Sequence, residues 1–451
     1  MLLAIIYIAA SFWTTRRAPA TGDEVGYVMT ADSLLHGEWL ELTARWRVVD
    51  DADYSPGEPI PFAEFIRTTA PSLARAGNYP LHDLASSVLI LPFLALGGRH
   101  LVVVLIALAM AGAVALGVRT AEVLGAVRSR AVAGGVITGL SVPALTYSGQ
   151  IFPDAVVALP IAVLIASGTG ALPRRLAPFA LAMLPLLHVR FWLLALGFAL
   201  ALLVTRRYRF EVRELIALAL PTAVGVTALA LVDLAVYGVA LPHAGWLLFF
   251  QERRETIETY AGAAGIAGLF VDRAFGLLPA APVAAFLFFG AGRALRRSAE
   301  RAFVLAIVPY LVVVPFIDWT GGFSPQSRYL APLVPLLPLL YAHALGSPRP
   351  LLWLGGLFGI WTAGQSAIYV VAPWLRYDFY SVAPLADKGW LRFNLPAPSR
   401  VFPSFGTEGA TLPLAIAWCG ALLVLLLGGL LLGTRGAPPA ALDAGRSRPP
   451  P

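Results

Sequence analysis

The sequence has few charged residues and a single cysteine. Only 13% of its 451 residues are Asp, Glu, Lys or Arg, and 58% are hydrophobic, whereas about a quarter of a soluble protein is charged. This composition excludes an ordinary soluble protein and predicts an all-α, polytopic membrane protein. The lone Cys419 lies in an apolar run, which excludes disulfides within the chain and multi-cysteine metal sites. We expect it to be a small buried side chain.

Lysine is almost absent: of the 33 Lys and Arg residues only Lys388 is a lysine. The net charge is +7. The arginines form short clusters between apolar runs, as the positive-inside rule expects of cytoplasmic turns, so we expect no nucleic-acid partner. Abundant Arg, Ala, Gly and Pro suggest a GC-rich bacterial genome and hence a bacterial plasma membrane. Residues 1–13 lack the basic start and cleavage site of a signal peptide, and we predict a retained first span.

Apolar runs predict about twelve transmembrane helices. They cover residues 2–14, 100–118, 131–147, 153–168, 176–187, 189–204, 215–236, 275–290, 302–317, 329–345, 351–372 and 411–432. A further run, residues 83–96, is short and is headed by His82 and Asp83. We predict that this run is an interfacial or re-entrant helix, because a span needs about 20 apolar residues.

The arginine clusters alternate with arginine-poor connections along the chain, which predicts a cytoplasmic amino terminus. Residues 1–434 then form one transmembrane domain. Its first extracytoplasmic loop, residues 15–99, carries juxtamembrane helices, and residues 373–410 form an extracytoplasmic segment before the last span. If residues 83–96 crossed the membrane, the first loop would be cytoplasmic instead. We expect the tail, residues 435–451, to be cytoplasmic and disordered, because it is rich in Pro and Ala.

Two adjacent carboxylates, Asp23 and Glu24, follow the first predicted span. A carboxylate near the low-dielectric membrane boundary is expected to have a raised pKa, which makes it a better general base. The alternative is that Asp23 is only the N-cap of a surface helix.

Further polar residues are predicted on the same outer side as Asp23, namely Asp154, His188, Arg190 and Arg328. Each could be a helix cap or an interfacial anchor, but several on one face favour a shared polar cavity. Arg328 could hold a phosphate through two hydrogen bonds, and Arg190 and His188 could do the same. An acidic stretch at residues 50–53 is better explained as a solvated turn than as a calcium loop. The sequence contains neither a P-loop nor a dinucleotide fingerprint.

Three stretches carry a resemblance to a known family. Residues 22–27 read Gly-Asp-Glu-Val-Gly-Tyr and are followed by Asp32-Ser-Leu-Leu, a Pro-Asp pair occurs at 153–154, and residues 319–329 read Trp-Thr-Gly-Gly-Phe-Ser-Pro-Gln-Ser-Arg-Tyr. In order and predicted topology they resemble motifs of the GT-C superfamily of membrane glycosyltransferases, of the protein O-mannosyltransferase and aminoarabinose transferase types. The chain lacks the Trp-Trp-Asp motif of oligosaccharyltransferases, which disfavours transfer to peptide sequons.

The resemblance implies inverting transfer of a sugar from a polyprenyl phosphate to an acceptor outside the cytoplasmic membrane, the acceptor being a glycan, a lipid or a protein. It implies that Asp23 is the general base. Arg328 is the first candidate for stabilising the leaving phosphate, and Arg190 and His188 are the next candidates. Glu24 and Asp154 would orient the acceptor or the base. The motif residues Tyr27 and Tyr329 are expected to bind substrate. No cofactor is required, and a divalent metal is possible but has no clear ligand cluster.

Two other functions remain open from the sequence. A transporter or flippase of lipid-linked sugars would use the acidic loop as a gate, and it predicts charges deep within spans. Asp233, near the outer end of its predicted span, is the nearest to such a charge. A non-catalytic protein with the same fold is the third alternative, since a fold does not fix a function.

Overall fold

The computed structural model describes residues 1–17, 20, 23–43, 69–70, 72–74, 76–82, 84–205, 208–209, 211–253, 262–317, 324–372, 401–405 and 412–432. Several predictions lie outside this part of the chain: the acidic turn at residues 50–53, most of the segment 373–410, the tail 435–451, and Gly22 and residues 319–323 of the motifs.

The described chain is built almost entirely from α-helices. Those before residue 210 are α1 (Leu2–Thr15), α2 (Asp23–Leu35), α3 (Leu84–Val123), α4 (Arg128–Gly139), α5 (Ala144–Tyr147), α6 (Pro153–Val156), α7 (Ala158–Thr169), α8 (Ala177–Leu187) and α9 (Trp192–Val204). Short 3₁₀ helices at Arg174–Leu176 and Val189–Phe191 precede α8 and α9.

The second half continues in the same way. Its helices are α10 (Val212–Tyr237), α11 (Ala244–Arg253), α12 (Gly262–Val271), α13 (Leu277–Ala280), α14 (Phe286–Ala294), α15 (Ser298–Ala306), α16 (Val308–Ile317), α17 (Leu337–Ala344), α18 (Arg349–Val371) and α19 (Leu412–Leu432), with 3₁₀ helices at Pro282–Ala285 and Arg328–Leu336. One antiparallel pair departs from the all-α prediction: β1 (Thr69–Ala70) pairs with β2 (Tyr79–Pro80).

Apolar helices of membrane-spanning length confirm a multi-pass membrane protein. Five described stretches are long and apolar enough to cross a bilayer: Leu84–Val123, Val212–Tyr237, Ser298–Phe316, Arg349–Val371 and Leu412–Leu432. Four shorter apolar helices accompany them at Leu2–Thr15, Pro153–Thr169, Val189–Val204 and Pro282–Ala294. Cys419 on α19 is exposed, so its predicted burial is wrong. The reason is that α19 is apolar on all sides, and an apolar side chain on a spanning helix can face lipid as well as protein.

Two predicted spans are less regular than the sequence suggested. The run 329–345 begins as the 3₁₀ helix Arg328–Leu336 and becomes α-helical only at Leu337. Pro332 and Pro335 lie inside the 3₁₀ stretch, and each proline removes an amide donor that a continuous α-helix would use. The run 275–290 is likewise divided into short helices, and its last helix continues to Ala294.

Helix α3 is interrupted at Gly97 and Gly98, which have non-helical backbone angles. The part before this break starts next to His82, which contacts Asp23. The part after it starts at His100, whose Nδ1 lies 3.3 Å from Thr15 Oγ1 at the end of α1. Both ends of the stretch 84–96 therefore lie on the side of the molecule where α1 ends.

Close helix packing in the second half depends on glycines. A Cβ atom on Gly290 of α14 would lie 2.0 Å from the carbonyl oxygen of Leu340 on α17, and one on Gly429 of α19 would lie 2.1 Å from that of Phe289. Small residues let helix backbones approach closely in a membrane, where packing replaces the hydrophobic effect as the driving force. Helix α14 is thereby packed against both α17 and α19.

We predict that Gly290→Ala lowers the stability by about 1–3 kcal/mol, because the added methyl group forces two backbones apart. The matched control is Gly356→Ala on α18, where an added Cβ meets nothing within 4 Å; it should leave the stability unchanged or slightly raised, because alanine favours helix. Thermal unfolding in detergent, followed by tryptophan fluorescence, checks both. Equal midpoints for the two variants would contradict the packing argument.

Candidate active site

Four charged side chains from distant parts of the chain meet at one end of the helices. Asp23 is the first residue of α2, and Asp154 is the second residue of α6. Arg190 lies in the 3₁₀ helix before α9, and Arg328 opens the 3₁₀ helix before α17. The structure thus brings together the four residues on which the sequence-based hypothesis depends.

Asp154 is shared between the two arginines. Its Oδ2 accepts hydrogen bonds from Arg190 Nη2 and, at 3.0 Å, from Arg328 Nε. The Asp154 side chain is 0% exposed, and those of Arg190 and Arg328 are 10% and 5% exposed. Its Oδ1 has no hydrogen-bond partner among the described residues. A buried charge is tolerated only when it is paired, so this carboxylate keeps both guanidinium groups in place.

Asp23 pairs with the other end of the Arg328 guanidinium, since Arg328 Nη2 donates to Asp23 Oδ2. The second oxygen, Oδ1, lies 3.5 Å from His82 Nε2. Asp23 thus pairs with side chains from other parts of the chain, so the reading of this residue as only an N-cap does not account for its contacts. Its side chain is 27% exposed, so this carboxylate is the accessible one.

The expected raised pKa of Asp23 is wrong. Burial does favour the neutral acid, but the positive charge of Arg328, followed by those of His82 and Arg190, outweighs burial and holds the pKa of the Asp23 carboxyl below its ordinary value. Opposite charges within a few ångströms stabilise the ionised form. In this arrangement Asp23 is an ionised carboxylate whose basicity depends on how strongly Arg328 holds it.

Aromatic rings surround the arginines. The Arg328 Cζ lies 4.3 Å from the ring centre of Phe152, and the Arg190 Cζ lies 5.0 Å from that of Tyr329. Phe191 stands 5.2 Å from Arg190 Cζ. Rings that face a guanidinium attract its charge and exclude water from it. Tyr329, a predicted substrate-binding residue, is therefore one of the aromatic rings that line the charged cluster.

Glu24 holds the backbone turn that precedes Asp154. It is buried, and the Ile151 backbone N–H donates to its Oε1 at 2.6 Å. Residues 151–152 lead directly into α6, so Glu24 fixes the turn that presents Asp154. Tyr27, one turn farther along α2, is buried with its ring 4.9 Å from that of His82. Glu24 thus holds the turn before Asp154, and Tyr27 packs on the histidine that lies next to Asp23.

Histidine and tryptophan side chains cover the site next to Asp23. His188 Nδ1 accepts a hydrogen bond of 3.4 Å from the Arg190 backbone N–H. The Trp246 ring lies between two histidines, with its centre 5.7 Å from that of His188 and 5.4 Å from that of His82. Burial, and then the charge of Arg190, lower the pKa of His188. A neutral His188 is suited to hydrogen bonding rather than to holding a phosphate by charge.

Sequence reasoning missed His82, Trp246 and Phe152. His82 was visible as the polar head of the run 83–96, where a histidine next to an apolar run is unusual. Trp246 and Phe152 have no such signal, because aromatic residues are common throughout this chain.

Two further buried carboxylates, Asp272 and Asp233, accept hydrogen bonds from backbone amides instead. The backbone N–H groups of Ala274 and Phe275 donate to Asp272 Oδ1 at 2.8 and 2.9 Å. The Ala244 N–H donates to Asp233 Oδ2 at 3.1 Å. Asp233 thus binds the start of α11, and Asp272 fixes its own turn while its Oδ2 accepts a 3.0 Å hydrogen bond from the Phe405 N–H.

Comparison with known proteins bears on the fold. No family model and no curated protein matches the sequence. Among solved structures, the crystal structure of ArnT from Cupriavidus metallidurans bound to undecaprenyl phosphate is similar, with a TM-score of 0.53 and 13% identity over 95% of this chain and 76% of that one. The chain shares the fold of this ArnT. A structure of the same ArnT in the apo state covers the same shares at a TM-score of 0.46 and 14% identity.

The shared fold is the one that the resemblance of the three sequence stretches implies, and it confirms a polytopic all-α architecture. The ArnT structure is matched along nearly the whole of this chain, so the likeness is not confined to a few helices. At 13% identity the likeness concerns the fold, and the roles of individual residues depend on the geometry above.

We predict that Asp154→Asn destabilises the protein by about 3–5 kcal/mol, because it leaves two buried guanidinium groups without their shared counter-charge. Glu122→Gln is the control: Glu122 pairs with the exposed Arg119 and Arg128, and surface pairs contribute about 0–1 kcal/mol. Thermal unfolding in detergent measures both. The double variant Asp154→Asn with Arg190→Gln should regain part of the loss, and a further drop would contradict the pairing argument.

Proposed function

We propose that this protein is an inverting glycosyltransferase that moves a sugar from a polyprenyl phosphate to an acceptor on the extracytoplasmic side of the membrane. The observation that carries the proposal is the pair of arginines linked by Asp154, with the accessible Asp23 carboxylate bound to one of them. The GT-C fold supports it, as does the undecaprenyl phosphate in the similar ArnT structure. The sugar and the acceptor are not selected by these residues.

Arg328 and Arg190 are the proposed phosphate site. Guanidinium groups bind phosphate through paired hydrogen bonds, and Arg190 Nε is buried without a hydrogen-bond partner among the described residues. Asp154 places both groups and balances part of their charge while no donor is bound. The same arginines would stabilise the negative charge that develops on the phosphate as it leaves. The expectation that no cofactor is required stays a prediction.

Asp23 is the proposed general base. The acceptor hydroxyl or amine would transfer a proton to the Asp23 carboxylate while its oxygen or nitrogen bonds to the anomeric carbon, and the bond from that carbon to the phosphate oxygen would break. A phosphate that binds Arg328 competes with Asp23 for this cation. Its negative charge also raises the proton affinity of the nearby carboxylate. Donor binding would thereby strengthen the base.

An apolar groove fits the lipid part of such a donor. The groove lies between α1 and α18, measures about 610 Å³, and is lined by side chains that include Ile6, Ala10, Trp13 and Val370. Both walls are tied to loops of the site, because Ser11 Oγ donates to the Ser148 carbonyl and Tyr369 OH donates to Gln326 Oε1. We propose that part of the prenyl chain lies here.

The membrane arrangement belongs to the same proposal. About twelve spans would place α2, the stretch 84–96 and the charged site on the extracytoplasmic side of a bacterial plasma membrane. Support comes from the arginine clusters in the opposite turns and from the two ends of the stretch 84–96, which lie on one side of the molecule. The transporter alternative predicts charges deep within spans, and Asp233, the nearest to such a charge, accepts a hydrogen bond from the Ala244 backbone N–H.

We predict that Asp23→Asn lowers the transfer rate by about 10²- to 10⁴-fold, the usual contribution of a general base, while donor binding survives. Asp32→Asn is the matched control on the same helix, because Asp32 makes a partly exposed pair with His36. The assay measures label transfer and lipid phosphate release from a panel of radiolabelled polyprenyl phosphate sugars, with membrane extract as acceptor. Donor binding with transfer absent in both wild type and variant would refute a transferase.

We also predict that kcat/KM for the donor does not fall as the pH is lowered from about 8 to about 5. The lowered pKa of Asp23 keeps the base ionised as the pH falls. The acidic fall of the kcat/KM profile therefore lies below the ordinary carboxyl range of about pH 4. The profile of kcat, which reports the donor complex, should have its limb at higher pH, because the phosphate shares Arg328. A limb for kcat/KM near pH 6 would contradict this assignment.

A further inference from the structure

A second cluster of arginines lies at the end of the helices opposite the active site. Arg130 is in the first turn of α4, Arg293 is in the last turn of α14, and Arg297 immediately precedes α15. His343 and Gly346 stand at the end of α17, the helix whose other end follows Arg328. The cluster is therefore separated from the active site by the length of α17 and the 3₁₀ helix before it.

Arg130 and Arg293 point at the same small space. A Cβ atom on Gly346 would lie 2.7 Å from Arg293 Nη1 and 2.8 Å from Arg130 Nη1. Two guanidinium groups so close to one point repel each other unless an anion lies between or beside them. The absence of a side chain at Gly346 lets both guanidinium groups lie against its backbone, where any other residue would displace them.

The neighbouring carboxylate does not balance these two charges. Glu300 is buried, and its two oxygens are taken by other partners: Arg297 Nη1 lies 3.1 Å from Oε1, and His343 Nε2 lies 2.6 Å from Oε2. Among the described residues, Arg293 Nη1 donates only to a neutral group, the His343 carbonyl, at 3.1 Å. This contrasts with the active site, where each arginine has a carboxylate.

Unused donors remain in the same space. Arg293 Nε is buried and has no hydrogen-bond partner among the described residues. The Arg130 side chain makes no hydrogen bond or ion pair within the described part of the chain. Arg130 and Arg293 thus offer several N–H groups and an uncompensated positive charge, which is the donor set that a phosphate prefers.

The position indicates where the phosphate comes from. Arg296, three residues after Arg293, donates at 2.9 Å to the Leu430 carbonyl in the last turn of the spanning helix α19. The cluster therefore lies at the level where apolar helices end, which is the level of lipid headgroups. Basic pockets between spans on the cytoplasmic side bind anionic headgroups.

We propose that Arg130 and Arg293, whose guanidinium groups meet beside Gly346, bind the phosphodiester headgroup of an anionic membrane phospholipid. The site is independent of the proposed transferase reaction. A bound lipid supplies the missing counter-charge and connects α4, α14 and α17 at their cytoplasmic ends.

The test uses the full-length protein in an uncharged detergent, with native mass spectrometry to count bound lipid during titration with phosphatidylglycerol or phosphatidylcholine. Wild type should retain one phosphatidylglycerol in preference to phosphatidylcholine. The double variant Arg130→Gln with Arg293→Gln should bind it about 30-fold more weakly, because each arginine near a headgroup contributes about a factor of five. Arg119→Gln, which removes an exposed arginine paired with Glu122, should bind like wild type.

Arg130→Gln alone keeps the test valid if the double variant fails to fold, because the Arg130 side chain makes no hydrogen bond or ion pair with any described residue; we expect about fivefold weaker binding. Unchanged phosphatidylglycerol binding in the folded variants would overturn the proposal. Inorganic phosphate that competes with phosphatidylglycerol at equal concentration would overturn the lipid as its source and indicate a free phosphate ligand.

Discussion

The pairing of the buried Asp154 carboxylate with Arg190 and Arg328 is the interaction on which the proposed site depends. A guanidinium group at membrane depth is costly unless a counter-charge accompanies it. One carboxylate on α6 therefore holds together the turn before α9, the 3₁₀ helix before α17 and, through Arg328, the start of α2. The polar groups that must meet a phosphate are prearranged before any donor arrives.

This pairing would also make the proposed base sensitive to the proposed donor. Arg328 binds Asp23 at one end and Asp154 at the other, so any anion that approaches Arg328 changes the proton affinity of Asp23. Asp154 and Glu24 are fully buried, whereas Asp23 keeps an exposed surface. Burial thus separates two carboxylates that hold the scaffold from the one that can reach an acceptor.

The sequence predicted the helical membrane fold and the members of the charged cluster well, because hydrophobic runs and isolated charges are local signals. It could not predict the partners. The link from Asp23 to Arg328 spans most of the chain, and the lowered pKa of Asp23 follows from that link first and from His82 and Arg190 after it. The 3₁₀ start of the run 329–345 depends on prolines that do not interrupt its hydrophobicity. His82 gave a weak signal, and Trp246 gave none.

Arginine appears in two settings at the two ends of the helices. In the candidate active site each arginine has a carboxylate partner, which suits a ligand that must arrive and leave. At the opposite end Arg130 and Arg293 meet beside Gly346 with no carboxylate partner among the described residues, which suits a ligand that stays bound. We propose above all that the candidate active site, with Arg328 and Arg190, receives the donor phosphate. A cryo-EM structure with undecaprenyl phosphate tests it most directly: the account predicts the phosphate within hydrogen-bond distance of Arg328 and Arg190, with Asp23 facing the free side. A phosphate bound elsewhere, with the Asp23 to Arg328 pair unchanged, would contradict it.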